Sequence, residues 1–209
     1  MFILYAVPIG LLVGWILGGR LAGLEAVRLR WAPIAIAGLL VQVVLFSGPV
    51  TERIGAAGTP LYVGSTLLVL AALLRNLHIG GLPLVALGAV GNLAAIVANG
   101  GSMPASADAL AALGKSIGTE YSNSVLVAEP VLAPLTDLFA MPPWMPLANV
   151  FSVGDVLIGV GIAIAIAAAM RAGASGNLPP KYPDPGTDEP WLEGEADRTV
   201  AEKATTAFR

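Results

Sequence analysis

Cysteine is absent from the chain, which excludes disulfides and thiolate metal sites. Histidine is nearly absent too. The single His78 excludes a paired-histidine haem site within one chain. Charge is scarce: 12% of the 209 residues are charged, against roughly a quarter in an ordinary soluble domain. Of the 14 acids, half lie after residue 180, so the first 175 residues are almost uncharged. The net charge of −3 offers no footprint for nucleic acid. No Ser-His pair, HExxH or Gly-rich phosphate loop is present, which points away from an enzyme. Glu120, Glu129 and Asp137 are too dispersed to make a calcium or magnesium site and are expected to be solvated loop acids. Nothing in the sequence calls for a cofactor.

Aliphatic residues fill the space that charge leaves. The chain is 56% hydrophobic, with a mean hydropathy of +0.79. Five apolar segments, at about 1–18, 31–47, 59–75, 81–99 and 150–171, approach the roughly 20 residues needed to cross a bilayer. None alternates like a barrel strand. The expected fold is all-α: an integral membrane bundle of five transmembrane helices over 1–173, with an outer loop at 100–149 forming an interfacial helical lid. A tail at 174–209, rich in proline and acid, is expected to be disordered and cytoplasmic.

Positive charge sets the orientation. Arg20, Arg28 and Arg30 follow segment one, Arg75 and His78 follow segment three, and Arg171 ends segment five. The intervening connections carry only Arg53 and Lys115. The positive-inside rule therefore places the N-terminus outside and the C-terminus in the cytoplasm. Trp31 and Trp144 fall where interfacial anchors belong, although Trp31 suits packing between helices equally well.

Small residues at four-residue spacing predict close helix contacts: Gly10, Gly14 and Gly18; Gly161, Ala165, Ala169 and Gly173; Gly91, Ala95 and Asn99. These ridges suit intrachain packing, a membrane-protein partner or a homo-oligomer. The polar residues fall in the outer halves of their segments: Gln42, Tyr62, Ser65, Thr66, Asn92, Asn99, Ser152 and Asp155. Gly88, Asn92, Ala95 and Asn99 share one helical face, as do Tyr62 and Thr66, and Ser152, Asp155 and Gly159. If the faces converge, they line an outward polar pocket with Asn92, Asn99, Asp155, Gln42, Tyr62 and Thr66 as ligand-binding candidates. If they do not, they are interhelical hydrogen-bond partners.

In the loop, Asn99-Gly100-Gly101 and Pro104 should end segment four. Ser106 should cap a short helix stopping at Gly114. Val131, Leu132, Leu135, Leu138 and Phe139 repeat at helical spacing, predicting a second helix over about 130–140 that Pro142 and Pro143 terminate.

"NGGSMP" (99–104) and "FSVGD" (151–155) on either side of this loop resemble a family of small bacterial integral membrane proteins catalogued as a domain of unknown function, number 5317. The resemblance covers about residues 1–172. It implies a multi-pass protein of the bacterial cytoplasmic membrane, with no activity to carry over. It directs attention to Asn99, Gly100, Gly101, Met103, Pro104, Gly154 and Asp155. Many members carry a histidine and tryptophan-rich stretch between the motifs, where this chain has "TEYSNSVLVAEPVLAPLTDLFAMPP". The expectation is that Asp155 receives hydrogen bonds from the NGGSMP turn and ties the lid to the bundle. A structural, accessory or assembly role in the membrane is the first reading, and binding or transport of a small ligand through the polar pocket is the alternative.

Overall fold

The glycines and prolines that punctuate the apolar runs decide where each helix starts and stops. A 3-10 turn, Phe2–Tyr5, leads into α1, Ala6–Ile16. Gly18, at φ 77, reverses the chain. Gly18 N–H bonds Trp15 O at 2.9 Å and Gly19 N–H bonds Gly14 O at 2.8 Å, which together satisfy the last carbonyls of α1. A short α2, Ala22–Glu25, follows. Trp31, left-handed at φ 62, and Pro33 in the first turn open α3, Ala32–Leu45. The helix α4, Gly58–Leu74, and α5, Leu82–Ala98, come next, with Gly81 and Pro83 starting α5. The loop carries α6, Ala107–Ala112. The last and longest helix is α7, Val153–Ala174.

This computed structural model describes residues 2–47, 50, 53–114 and 124–174. The chain divides into two units, Met1–Gly176 and Asn177–Arg209. The second unit lies outside the described residues, as do Glu120 and the expected disordered tail from residue 175 on, while Ala174, placed in that tail, ends the last helix.

All five apolar segments are helical, and the architecture is mostly helix as expected. Among the described residues only α7, with 22 residues, is long and apolar enough to cross a membrane by length and composition. The other four, Phe2–Ile16, Ala32–Leu45, Gly58–Leu74 and Leu82–Ala98, are apolar but shorter, at 10–17 residues. The cause is visible in α1, where the glycine-terminated turn cuts off the end of its apolar run.

The helices stack side by side in the order α1, α7, α5, α4, α3, with α2 also against α7. The glycine contacts give the directions. An added Cβ on Gly10 would meet Ala163, and one on Gly14 would meet Ala167 and Met170, so α1 runs parallel to α7. Gly81 lies on Gly161 and Ala165 while Gly88 lies on Gly154 and Ile158, so α5 runs antiparallel to α7. Gly38 against Ser65 and Val69 joins α3 to α4. The ridges expected on α1 and α7 are therefore used within the chain, while Gly91 of the third meets only Leu135 of the loop. Gly161 and Ala165 meet the start of α5, and Ala169 and Gly173 meet Gly23 of α2. Gly18 is the exception: an added Cβ there would meet nothing within 4 Å, and its role is the helix stop.

These directions bring Arg20, Arg28, Arg30, Arg75, Arg171 and His78 to one end of the stack. Arg20 N–H bonds Met170 O at 2.8 Å there. The 100–151 segment gathers at the other end. Tyr5 Oη donates to Pro146 O at 2.6 Å, and Phe2 N–H donates to Asn149 Oδ1 at 3.0 Å. The Phe151 ring stacks on Phe2 at 4.3 Å and on Phe139 at 5.5 Å.

Inside the loop, Ser106 caps α6 as expected, accepting from Ala109 N–H at 3.4 Å, and Gly114 closes it at φ 66. The second loop helix does not form. Only a 3-10 turn, Ala133–Leu135, appears, because Leu132 is left-handed at φ 56 and the chain after the turn is drawn into extended pairing. The strand β1, Met103–Ala105, pairs in parallel with β2, Ser124–Leu126. On its other edge Asp137 N–H donates to Pro104 O at 2.9 Å and Ser106 N–H donates to Asp137 O at 2.9 Å. Asp137 is thereby buried, at 5% exposure, and is not the solvated acid expected. A second small pairing, antiparallel, joins β3, Phe139–Ala140, to β4, Val150–Phe151.

Two glycines at positive φ should respond differently to alanine. Gly81→Ala adds a methyl that collides with Gly161 O, on top of a strained backbone costing about 1–3 kcal/mol. Gly18→Ala meets open space and pays only the backbone term of roughly 1 kcal/mol. Thermal unfolding of the purified variants should show the larger loss for Gly81→Ala; equal losses would contradict the contact.

Candidate functional site

The start of α7 is built by its own sequence. Ser152 is the residue before the helix, and its Oγ accepts from Asp155 N–H at 3.0 Å. Asp155 Oδ2 accepts in return from Ser152 N–H at 3.1 Å. This is a reciprocal cap, with an acid at N3 in place of the more usual glutamate. A carboxylate at a helix N-terminus also faces the positive end of the helix dipole.

Asn92 of α5 completes the arrangement. Its Nδ2 donates to Asp155 Oδ1 at 2.8 Å, and its Oδ1 accepts from Ser152 Oγ at 2.8 Å. One amide thus answers both side chains of the cap and closes a ring of four hydrogen bonds. Ser152 is wholly buried, at 0% exposure. Gly88 and Gly154 make this reach possible. A Cβ on Gly154 would collide with Asn92 Oδ1, and one on Gly88 would collide with Gly154 O. Among the described residues no buried side-chain polar atom lacks a partner. The ring is closed: each of its three side chains bonds another member.

Asn99 does not join this ring. It sits at the end of α5, where its Nδ2 donates to Ala95 O at 2.7 Å and to Val131 O at 2.8 Å, while its Oδ1 accepts from Val131 N–H at 2.9 Å. The expected bond between Asp155 and the NGGSMP turn is therefore replaced by two separate joints. Asn92, seven residues earlier, takes the acid, and Asn99 takes the loop. Gly100, at φ 75, and Gly101, at φ 97, complete the helix stop, with Gly101 N–H bonding Ile96 O at 2.8 Å. A side chain on Gly101 would collide with Thr59, so the turn is pressed onto the start of α4. Met103 and Pro104 of β1 are buried, Met103 against Ala95 and Ile96 of α5.

The remaining candidates form a third group. Gln42 Nε2 donates to Thr66 Oγ1 at 3.1 Å, linking α3 to α4. Thr66 and Ser65 hydroxyls both donate to Tyr62 O, at 2.9 and 2.8 Å. The Tyr62 ring packs on Ala95, Ile96 and Met103 and meets Phe46 edge-on at 5.0 Å. Gly159 faces Phe2 and Ala6 of the N-terminal segment. Of the sequence candidates, Asn92, Ser152, Gly154 and Asp155 converge at the start of α7, Gln42, Tyr62 and Thr66 meet separately between α3 and α4, and Asn99 joins neither group.

Sequence reasoning missed Asn76. It is 2% exposed at the arginine end, just past α4. Its Oδ1 accepts from Arg30 N–H at 2.8 Å, and its Nδ2 donates to Arg30 O and Ala72 O, both at 2.7 Å. This repeats, bond for bond, what Asn99 does to Val131 and Ala95. The available signal was a pattern: an asparagine immediately after an aliphatic helix, in "LLRN" as in "IVAN".

A family of unknown function (DUF5317) has a model matching residues 26–167, and the chain belongs to that family. The match takes in Asn76, Asn92, Asn99 and Asp155 but leaves out α1, which the sequence resemblance had included. No curated protein and no solved structure matches the chain.

The ring predicts strong coupling. Asn92→Ala strands the buried Ser152 hydroxyl, and Ser152→Ala removes a helix cap; each should cost about 1–3 kcal/mol. The double variant should cost clearly less than the sum, because both remove members of one network. A thermal or denaturant double-mutant cycle giving simple additivity would refute the ring.

Proposed function

We propose that this chain is a multi-pass integral membrane protein with a structural or assembly role, its five long helices embedded in the bilayer. The observation that carries this reading is the outer surface of the helix stack. Leu12 and Ile16 on α1, Ile36, Leu40 and Val43 on α3, Leu67 and Leu68 on α4, Leu87 and Val97 on α5, and Val160 and Ile164 on α7 are all exposed. A soluble monomer rarely carries a contiguous apolar patch beyond a few hundred Å². Lipid tails would cover this surface, while backbone groups stay bonded within each helix.

The shorter helices fit this reading. The 17 residues of α4 or α5 rise about 25 Å, and local thinning of the bilayer takes up the rest. The arginine end faces the cytoplasm by the positive-inside rule, which puts the 100–151 segment outside. Trp144 and Trp31, both exposed, then lie near opposite interfaces.

The closed polar ring favours a scaffold over chemistry. A ligand entering around Asn92, Asn99 and Asp155 would first have to break bonds already made within the chain, so that reading ranks second.

The cysteine-free sequence makes the topology directly testable. Trp144→Cys should react with a membrane-impermeant maleimide in intact cells, and Leu29→Cys only after permeabilisation. Labelling of both before permeabilisation, or recovery of the chain in the soluble fraction, would overturn the reading. Covalent crosslinking at native expression should recover a membrane-protein partner; recovery of none would remove the assembly role.

A further inference from the structure

We propose that the arginine end carries a binding site for an anionic phospholipid, with Arg28 and His78 holding the headgroup phosphate and an acyl chain lying along α7. The proposal rests on the membrane reading above. An open cavity of about 360 Å³ lies between the α2–α3 connection, the α4–α5 turn and the C-terminal half of α7. That volume falls within the range of small-ligand sites, about 300–1,000 Å³. Its lining holds two ionisable groups, Arg28 and His78, both bases, and no acid. Neither side chain is hydrogen-bonded or ion-paired to another described residue, so their donors are available. A guanidinium offers N–H groups in a planar fork that matches two phosphate oxygens, and an imidazole N–H adds a third donor.

The fold holds these two groups in register. Asn76 bonds both backbone groups of Arg30, two residues beyond Arg28, and is itself two residues before His78. Ile79 N–H returns to Asn76 O at 2.9 Å. Gly81 then presses the turn onto Gly161 and Ala165 of α7. One clip and one glycine contact thus fix both donors against the same helix.

The floor supplies the second half of the ligand. Ala165, Ala168 and Ala169 line the cavity at one-turn spacing and form a strip of methyl groups. Such a strip suits methylene chains and gives nothing to a free inorganic ion. On the membrane reading the mouth faces the cytoplasmic leaflet, where anionic lipids are found.

The test uses the full chain, reconstituted and delipidated. Binding is measured against phosphatidylglycerol, phosphatidylcholine and inorganic phosphate. Wild type should prefer phosphatidylglycerol to phosphatidylcholine. Arg28→Gln should lower phosphatidylglycerol affinity about fivefold, the effect of about one unit of charge at an anionic surface. The double variant Arg28→Gln, His78→Gln should lose the preference, while Arg75→Gln, outside the cavity, should keep it. An equal loss for Arg75→Gln would show diffuse surface charge and overturn the site. Competition by inorganic phosphate at the affinity of the lipid would assign the site to a free anion and overturn the lipid. Flotation with neutral vesicles separates the two readings. If all variants float and the double variant still prefers phosphatidylglycerol, the site falls and the membrane reading stands. If the chain does not float, the membrane reading falls and takes the lipid site with it.

Discussion

The backbone approach of α5 to α7 at Gly88 and Gly154 is the constraint on which the rest depends. Without side chains at those two positions, the helices close until an asparagine of α5 reaches the cap of α7. The ring that forms joins a helix start to a helix middle. It fixes where α7 begins, and α7 is the helix against which α1, α2 and α5 all pack. A shift at this crossing would move Gly161 off Gly81 and Met170 off Gly14 together.

Polar side chains serve this molecule mainly as fasteners. Asn92 fastens helix to helix, Gln42 fastens α3 to α4, and Tyr5 and Asn149 fasten the N-terminal turn to the loop. The helical region carries little charge. The stack instead relies on contacts small enough to let backbones touch and on amides that satisfy several partners at once. The two ends differ accordingly. One is finished by a loop with its own extended pairings, the other by short turns and arginines.

Much of this was legible in the chain. Apolar runs bounded by Gly, Pro and Asn marked all five long helices to within a few residues, and the Asn99-Gly-Gly stop and the Ser106 to Gly114 helix fell where their turn chemistry put them. Those features are local, and local chemistry decides them. What failed was decided at a distance. Periodicity over 130–140 suggested a helix, but that stretch borders β1, and strand pairing took its backbone and buried Asp137. Gly18 looked like part of a ridge, but a ridge needs a facing helix, and here the chain turns away. The site candidates shared a depth but not a neighbour. Asn92 and Asn99 lie two turns apart on one helix, and only packing decides which of them meets Asp155 and which meets Val131.

The paired asparagine clips bear on which substitutions this chain tolerates. Asn76 and Asn99 each grip the N–H and C=O of a single distant residue, the way one strand residue grips its neighbour. A peptide group is the same whatever side chain it carries. Positions 30 and 131 are therefore joined without being recognised, and selection is free to change either side chain while the joint persists. The loops at the two ends can differ in chemistry, one bearing bases and the other apolar surface, on joints that are indifferent to what they carry.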